Sequence, residues 1–329
     1  MSFPVASTPF RGSTPTTAYS GTFIPEVWSS KLVEKFYKAT VLGAIANTDY
    51  EGEIQNFGDK VQIRSRPTIT IRDYKADLDL AVDRPSEPKQ TMNIDKGKYF
   101  NLALDDVMEL QSDIDQLSVW AEDAAEQMKI TVDDDVLNTG LVNSASIAAA
   151  NVGNSAGAIS ASIRLGTDGS PTFVGKVEDG TGVGDDSSNE MPVVDYIVNC
   201  GQVLDEQNVP ESGRWMVIPA WFAALIKKSE LKDASLSGDG TSILRNGRLG
   251  MIDRFTLYVS NILLPPSGYS TAYPILFGTK AGFSFASQFT KLETLRSERS
   301  FSNLLRGLQV YGYKVVNGVA LGNGFVSKG

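Results

Sequence analysis

The chain has 329 residues, 42% hydrophobic and 21% charged, proportions of a globular protein with enough length for one large core or two ordinary ones. It contains no histidine, which excludes histidine triads, histidine general bases and the commonest metal ligand, and its single cysteine, Cys200, excludes an intrachain disulfide. A net charge of −9 argues against a surface whose main task is to grip nucleic acid.

Residues 1–20 carry Ser, Thr and Pro instead of a basic start and an apolar run, so no secretory leader is read and cytoplasmic synthesis is expected. Residues 1–22 read as an extended arm, because they offer little to build a core from. Pro25 then opens a short helical pattern through Val27, Trp28, Leu32 and Phe36, and Gly43 to Gly58 reads as loop. From Lys60 the period changes to two: Val61, Ile63, Ile69 and Ile71 alternate with Gln62, Arg64, Thr70 and Arg72. Asp73 to Pro88 is a charged excursion, Asp95-Lys96-Gly97-Lys98 is a turn signal, and Tyr99, Leu102 and Leu104 form the return. A two-stranded ribbon of this kind is marginal in water and must lie on something.

From Asp105 to Asn138 the apolar residues Leu117, Trp120, Ala121, Ala124, Ala125, Met128, Val132 and Val136 recur with the period of one helix face. Ser112 and Asp115 have the spacing of a capping box, and Gly140 is the predicted stop. The charge on this helix is lopsided: between Asp105 and Asp135 there are eleven acids and one base, Lys129. Self-repulsion on such a rod costs a few tenths of a kcal/mol per like-charged i,i+4 pair, so basic groups from elsewhere are expected along it.

Residues 143–190 are a run rich in Ala, Gly, Ser, Asn and Asp, read as an insertion of weak order. Val193 to Leu204 is a helix ending before Pro210. Arg214 to Ile218 is a short buried strand and Ala220 to Leu231 an amphipathic helix. After a Gly/Ser-rich loop, Phe255 to Val259, Ser284 to Leu295 and Leu308 to Val316 are further strands. The fold class is α+β, with two cores. The most apolar run, Trp215 to Ile226, is broken by Pro219 and falls far short of the ~20 residues that cross a bilayer.

None of the chemical motifs survives inspection. Gly153-Asn154-Ser155-Ala156-Gly157 has the spacing of a nucleophile elbow but no histidine to serve it. Gly169 to Val177 fails as a phosphate loop in both spacing and its missing hydroxyl, and Gly180 to Gly184 follows no strand. Asp133-Asp134-Asp135 lacks the turn glycine and spaced oxygens of a calcium loop and reads as a solvated helix face. No catalytic residue, cofactor site or metal site is expected.

The order of parts, together with three stretches, carries a resemblance. Arg214-Trp215-Met216-Val217-Ile218-Pro219 is similar to a strand-then-helix entry. Gly250-Met251-Ile252-Asp253-Arg254-Phe255-Thr256-Leu257-Tyr258-Val259-Ser260-Asn261 is similar to a Gly–hydrophobic–x–Gly-Phe–x–Val–x–x-Ser-Asn pattern. Asp95 to Asp106 is similar to a ribbon-to-spine junction. On these grounds the chain, over about residues 20–325 except the 143–190 insertion, resembles the major capsid proteins of tailed bacteriophages, the Hong Kong 97-like fold. It departs at Arg254, where many members carry glycine, so a different turn is expected there.

The resemblance implies an N-terminal arm and short helix (1–58), an extended β-hairpin loop (59–104) and a spine helix of a peripheral domain (105–142). After the insertion (143–192) come an axial domain (193–295) and C-terminal strands of the peripheral domain (296–329). It implies a structural protein, not an enzyme: copies of itself, as hexamers and pentamers, tile an icosahedral shell around double-stranded DNA. Partners would be a separate scaffolding protein, a portal protein, the packaged DNA without sequence preference and, as an option, a decoration protein, with no membrane. The protein would be made in the bacterial host cytoplasm and reside in the virion capsid. Interface candidates are the cations Arg64, Arg66, Arg72, Arg296 and Arg299 and the spine acids Glu109, Glu122, Asp123 and Glu126. An encapsulin-like nanocompartment shell is the alternative within the fold, and a histidine-free hydrolase using paired carboxylates the alternative outside it.

Overall fold

The computed structural model describes residues 37–50, 60–64, 66–67, 69–74, 82–85, 88–106, 116–142, 144–175, 190–229, 250–298 and 300–328. The helix read after Pro25, the Ser112–Asp115 capping box and Gly180 to Gly184 lie outside them.

The first helical turn, α1 (Leu42–Ile45), falls inside the stretch read as loop. Next comes the ribbon, β1 (Lys60–Arg64) antiparallel to β2 (Lys89–Asn93), in which Val61 sits opposite Met92 and Arg64 opposite Lys89. Its apolar face, with Val61, Ile63 and Met92, packs on Ile94 and Ala286, with Val310 and Val316 alongside. Residues 95–98 are not a turn. β3 (Lys96–Asp105) begins at once and leaves the ribbon to pair with β11, so that Gly97 faces Val310 across the ladder. Pairing with a long neighbouring strand outweighs the local turn preference of Asp-Lys-Gly.

β3 leads to the spine, α2 (Gln116–Asp134), a rod of about 28 Å at 1.5 Å per residue. The helix does not stop at Asn138: it widens into a π-helical segment, Asp135–Leu141, and Gly140 lies inside that segment. A Cβ at position 140 would stand 2.5 Å from the Tyr313 ring, so this glycine admits a close-packed aromatic instead of ending the helix. Val132, Val136, Leu137 and Leu141 form the buried stripe of the spine.

Residues 144–175, read as weakly ordered, are packed chain: Ile147, Ala156, Ile163 and Leu165 are buried and β4 (Thr172–Gly175) is a sheet strand. Small residues here allow close approach between backbones, which composition alone does not distinguish from low order. β5 (Glu190–Pro192) follows, then α3 (Val193–Glu206), β6 (Arg214–Ile218), α4 (Ala220–Lys228), β7 (Met251–Ile252), β8 (Phe255–Val259) and β9 (Tyr273–Thr279). The chain ends with β10 (Phe283–Arg296), β11 (Ser302–Val315) and β12 (Leu321–Lys328).

Two larger sheets result, one of order β10-β11-β3 and one of order β5-β4-β12-β9-β6-β8-β7. β12 therefore sits within the seven-stranded sheet and β10 within the three-stranded one, a different grouping from the sequence ranges 193–295 and 296–329. The seven-stranded sheet is covered on both faces, and β6 shows the consequence of period two. Met216 and Ile218 face α3 and α4, packed with Tyr196, Cys200, Phe222 and Phe277. Trp215 and Val217 face the second core, where α1, the spine and Phe283, Phe285 and Tyr311 of the three-stranded sheet meet.

Candidate assembly surface and the fate of the acidic spine

The outward face of the ribbon carries Lys60 opposite Asn93, Gln62 opposite Thr91 and Arg64 opposite Lys89. All six side chains can donate a hydrogen bond and none is an acid. Like charges directly opposite each other on a two-stranded ribbon are destabilising, which leaves Arg64 and Lys89 in want of an anion. Arg64 and Arg66 are exposed and form no ion pair among the described residues. Arg72 does not join them, because it bonds Asp83 at 2.9 Å within the same excursion. Sequence reasoning missed Lys89, although the alternation Lys89, Thr91, Asn93 against Met92 and Ile94 was there to be read. Beyond the ribbon the chain presents apolar side chains to water: Ile69 is 66% exposed, Ile71 88%, Tyr74 75% and Val82 87%.

Most of the spine acids are occupied by their own chain. Asp123 accepts from the Tyr37 hydroxyl at 2.8 Å, and Glu126 pairs with Lys129 at 2.5 Å. Glu122 is exposed, while Glu109 and Arg299 lie outside the described residues. Arg296 grips Asp106 through both guanidinium nitrogens, one contact at 2.8 Å, so this pair closes within one subunit.

The Asp133-Asp134-Asp135 run is not a solvated face, because each carboxylate has a separate internal partner. Asp133 is buried and accepts from the backbone amides of Val41 and Leu42 at 2.7 and 3.2 Å, capping α1. Burial raises its pKa, and the two amides only partly offset that. Asp134 accepts from Asn138 Nδ2 at 2.7 Å, and the same amide nitrogen donates to Ile262 O at 3.0 Å. Asp135 accepts from the Tyr311 hydroxyl at 2.9 Å and faces Lys96 at 3.6 Å, whose ammonium also lies over the Tyr313 ring. Burial and the bond to Asp135 together push the Tyr311 phenol well up. No group of three metal-ligating side chains occurs among the described residues, and none of their helices is long and apolar enough to cross a membrane.

A second polar cluster fixes the end of α3. The buried guanidinium of Arg214 donates to Pro210 O at 3.0 Å, Val209 O at 2.7 Å and Asp205 Oδ1 at 2.6 Å. Arg254 bonds the other oxygen of Asp205 at 2.8 Å and Glu211 at 2.8 Å. Burial would raise the Asp205 pKa, but the hydrogen bonds from Arg214 and Arg254 outweigh it and hold the carboxyl below its ordinary value. Asp253 and Arg254 have φ of 43° and 67°, so the β7–β8 turn has the left-handed backbone that glycine would suit. The departure at Arg254 therefore leaves the turn conformation possible and adds a bridge to α3.

No protein-family profile matches the chain, and no curated protein matches it. Among solved structures it is similar to one of Mycobacterium phage Che8, at 24% identity and a TM-score of 0.69, over 93% of this chain and 97% of that one. It is similar to the capsid structure of the cyanophage P-SCSP1u at 14% identity and a TM-score of 0.65, over 96% and 99% of the two chains. The capsid of a native GTA particle matches at 14% identity and a TM-score of 0.63, again over 96% and 99%. The shared property is a fold that spans nearly the whole of each chain, and the second and third of these structures are capsids.

Proposed function

We propose that the chain is a major capsid protein: it assembles with copies of itself, as hexamers and pentamers, into the icosahedral head shell that encloses the double-stranded DNA of a tailed phage. The observation that carries this reading is the incomplete monomer. Ile69, Ile71, Tyr74 and Val82, all in the described part of one excursion, stand in water, and large apolar groups left exposed along one segment mark a surface that another chain covers. The capsid fold of the similar structures supports the same conclusion. The cations Arg64 and Arg66, which form no ion pair among the described residues, belong to the proposed contact surface, with Glu122 on the neighbouring spine as a candidate counter-charge. The expected partners are a separate scaffolding protein, a portal and the packaged DNA, with a decoration protein as an option. The location is the virion capsid, after synthesis in the host cytoplasm.

Negative-stain microscopy and size-exclusion chromatography of the purified chain, with and without the phage's scaffolding protein, test the proposal. Closed megadalton particles are expected in place of a 35.5 kDa species. Small monodisperse oligomers under both conditions would overturn it.

A further inference from the structure

One cleft is left unexplained by shell building. It lies between the outward side of β12 and two loops that cross it, has a volume of about 390 Å³, and is lined by Ser144, Ile147, Val152, Thr167, Asp168, Asn323 and Phe325, among others. β12 alternates here as any strand does. Gly322 and Gly324 face Phe277 and Tyr196 on the α3 side, so Asn323 and Phe325 face the loops. The loops are fastened to the strand by backbone and amide bonds. Val152 pairs with Asn323, Phe325 N donates to Leu165 O at 2.9 Å, and Asn151 Nδ2 donates to Val319 O and Leu321 O at 2.6 and 2.8 Å. Gly166, at φ 83°, has no room for a side chain, since a Cβ would stand 2.0 Å from Phe325 O. The walls are thus held from both sides, and the cleft is part of the fold.

Its polar groups are out of balance. Asn323 is 2% exposed, yet its amide oxygen has no donor among the described residues, and neither has the amide oxygen of Asn151, the residue before Val152. A buried acceptor left in this state is costly, so it calls for a further donor. Among the described residues the half-buried Asp168, also on the lining, has a hydrogen bond only from the amide of Gly169, at 2.8 Å, and no ion pair. The lining also carries apolar side chains, those of Phe325, Ile147 and Val152. A carboxylate and an amide acceptor that share a lining with apolar side chains suit a short alkyl stem that ends in a cationic donor.

The geometry points to a binding site for an organic cation in this cleft, an alkylguanidinium or alkylammonium group whose stem lies on Phe325 and Val152, whose donors satisfy Asn323 and whose charge meets Asp168. The group is either an arginine or lysine side chain of another copy in the shell or a free small cation. Recognition of the cation does not depend on the shell proposal; only the distinction between the two sources does.

The probe is N-acetyl-arginine amide, compared with the uncharged isostere N-acetyl-citrulline amide, titrated into the unassembled subunit and followed by calorimetry and by amide shifts in residues 144–153 and 166–168. The arginine compound is expected to bind, the citrulline compound to bind at least about tenfold more weakly, and Asp168→Asn to remove that preference, because a charge-assisted hydrogen bond is roughly twice as strong as a neutral one. Asn323→Leu, checked for folding by its melting transition, is expected to abolish binding; if it does not fold, Asp168→Asn decides alone. The same titration on assembled particles separates the sources. Exclusion of the probe from particles assigns the cleft to a neighbour's side chain, and equal binding assigns it to a free cation. Equal affinity for both probes, insensitivity to Asp168→Asn, or no binding to the subunit, which would leave water as the partner of Asn323, overturns the proposal.

Discussion

Replacing Asp133 tests whether the spine's acids serve the interior of the subunit. Its carboxylate receives the amides of Val41 and Leu42, residues that are themselves buried against Val132, Val136 and Leu137. Asp133→Ala leaves two N–H groups without an acceptor in a packed core, at about 1–3 kcal/mol each. The cost of burying the charge disappears at the same time, so the expected net loss is about 2–3 kcal/mol. Asp133→Asn keeps one oxygen acceptor and no charge, and should lose less than about 1 kcal/mol. Urea unfolding of the unassembled subunit measures the difference, and hydrogen exchange at residues 41–46 locates it. The pH dependence has a definite sign. Because the folded state raises this carboxyl above its ordinary value of 3.8, its contribution to stability is complete below that value and is lost as pH rises through the folded pKa. The stability of the wild type relative to Asp133→Asn should therefore decline from acid toward neutral pH. Equal stability of the alanine and asparagine variants, or a loss below about 0.5 kcal/mol for alanine, would refute the capping role.

Glu206 gives the opposite sign: the amides of Ile159 and Ser160, at 2.8 and 3.1 Å, hold its carboxyl down at about 2, from an ordinary 4.5. Its contribution is complete above pH 4.5 and lost as pH falls through about 2, so Glu206→Gln should speed hydrogen exchange at Ile159 and Ser160 near neutrality and little near pH 2. At Arg254, φ of 67° favours glycine while the side chain bridges Asp205 and Glu211, so Arg254→Gly should change stability by less than about 1 kcal/mol. Arg254→Val, which keeps the strain and loses the bridge, should cost more than glycine by thermal melting. On the ribbon, Arg64→Glu with Lys89→Glu should abolish particles seen by negative stain while leaving the subunit's unfolding curve unchanged. Assembly at wild-type yield would show that the cationic face is not a contact.

What could be read from the sequence followed the strength of its periodicity. β6 and β8 were legible because a buried strand between turns has few other readings, and α3 and α4 because their apolar faces run for several turns. The Lys96–Gly97 turn was misread because only the ladder to β11, more than two hundred residues away in sequence, makes those residues a strand. The loops at 144–175 were misread for a related reason: Gly, Ala and Ser are common both in mobile chain and where backbones nearly touch.

The charge of the spine is the most instructive case. A helical wheel places Asp133, Asp134 and Asp135 on adjacent faces, and a run of three acids has an obvious solvated reading. The amides at 41–42 and the Tyr311 hydroxyl lie far away in sequence, so no local pattern predicts them, whereas Asn138 is an i,i+4 partner of Asp134 within the helix. The result changes the electrostatics of assembly. Asp106, Glu126 and Asp135 face cations of their own subunit and Asp133 is buried, so a neighbour's ribbon does not meet a continuous anionic stripe. Side chains without an ion pair among the described residues include Glu122 on the spine and, on the ribbon, the Arg64–Lys89 rung. Each exposed pair contributes only about 0–1 kcal/mol, so one such contact per subunit could set register, but it could not drive closure. The larger share must come from covering Ile69, Ile71, Tyr74 and Val82, at about 1.5–3 kcal/mol for each side chain fully buried. On this argument the ribbon's charges choose where a neighbour binds, and the apolar groups beyond it supply the free energy of binding.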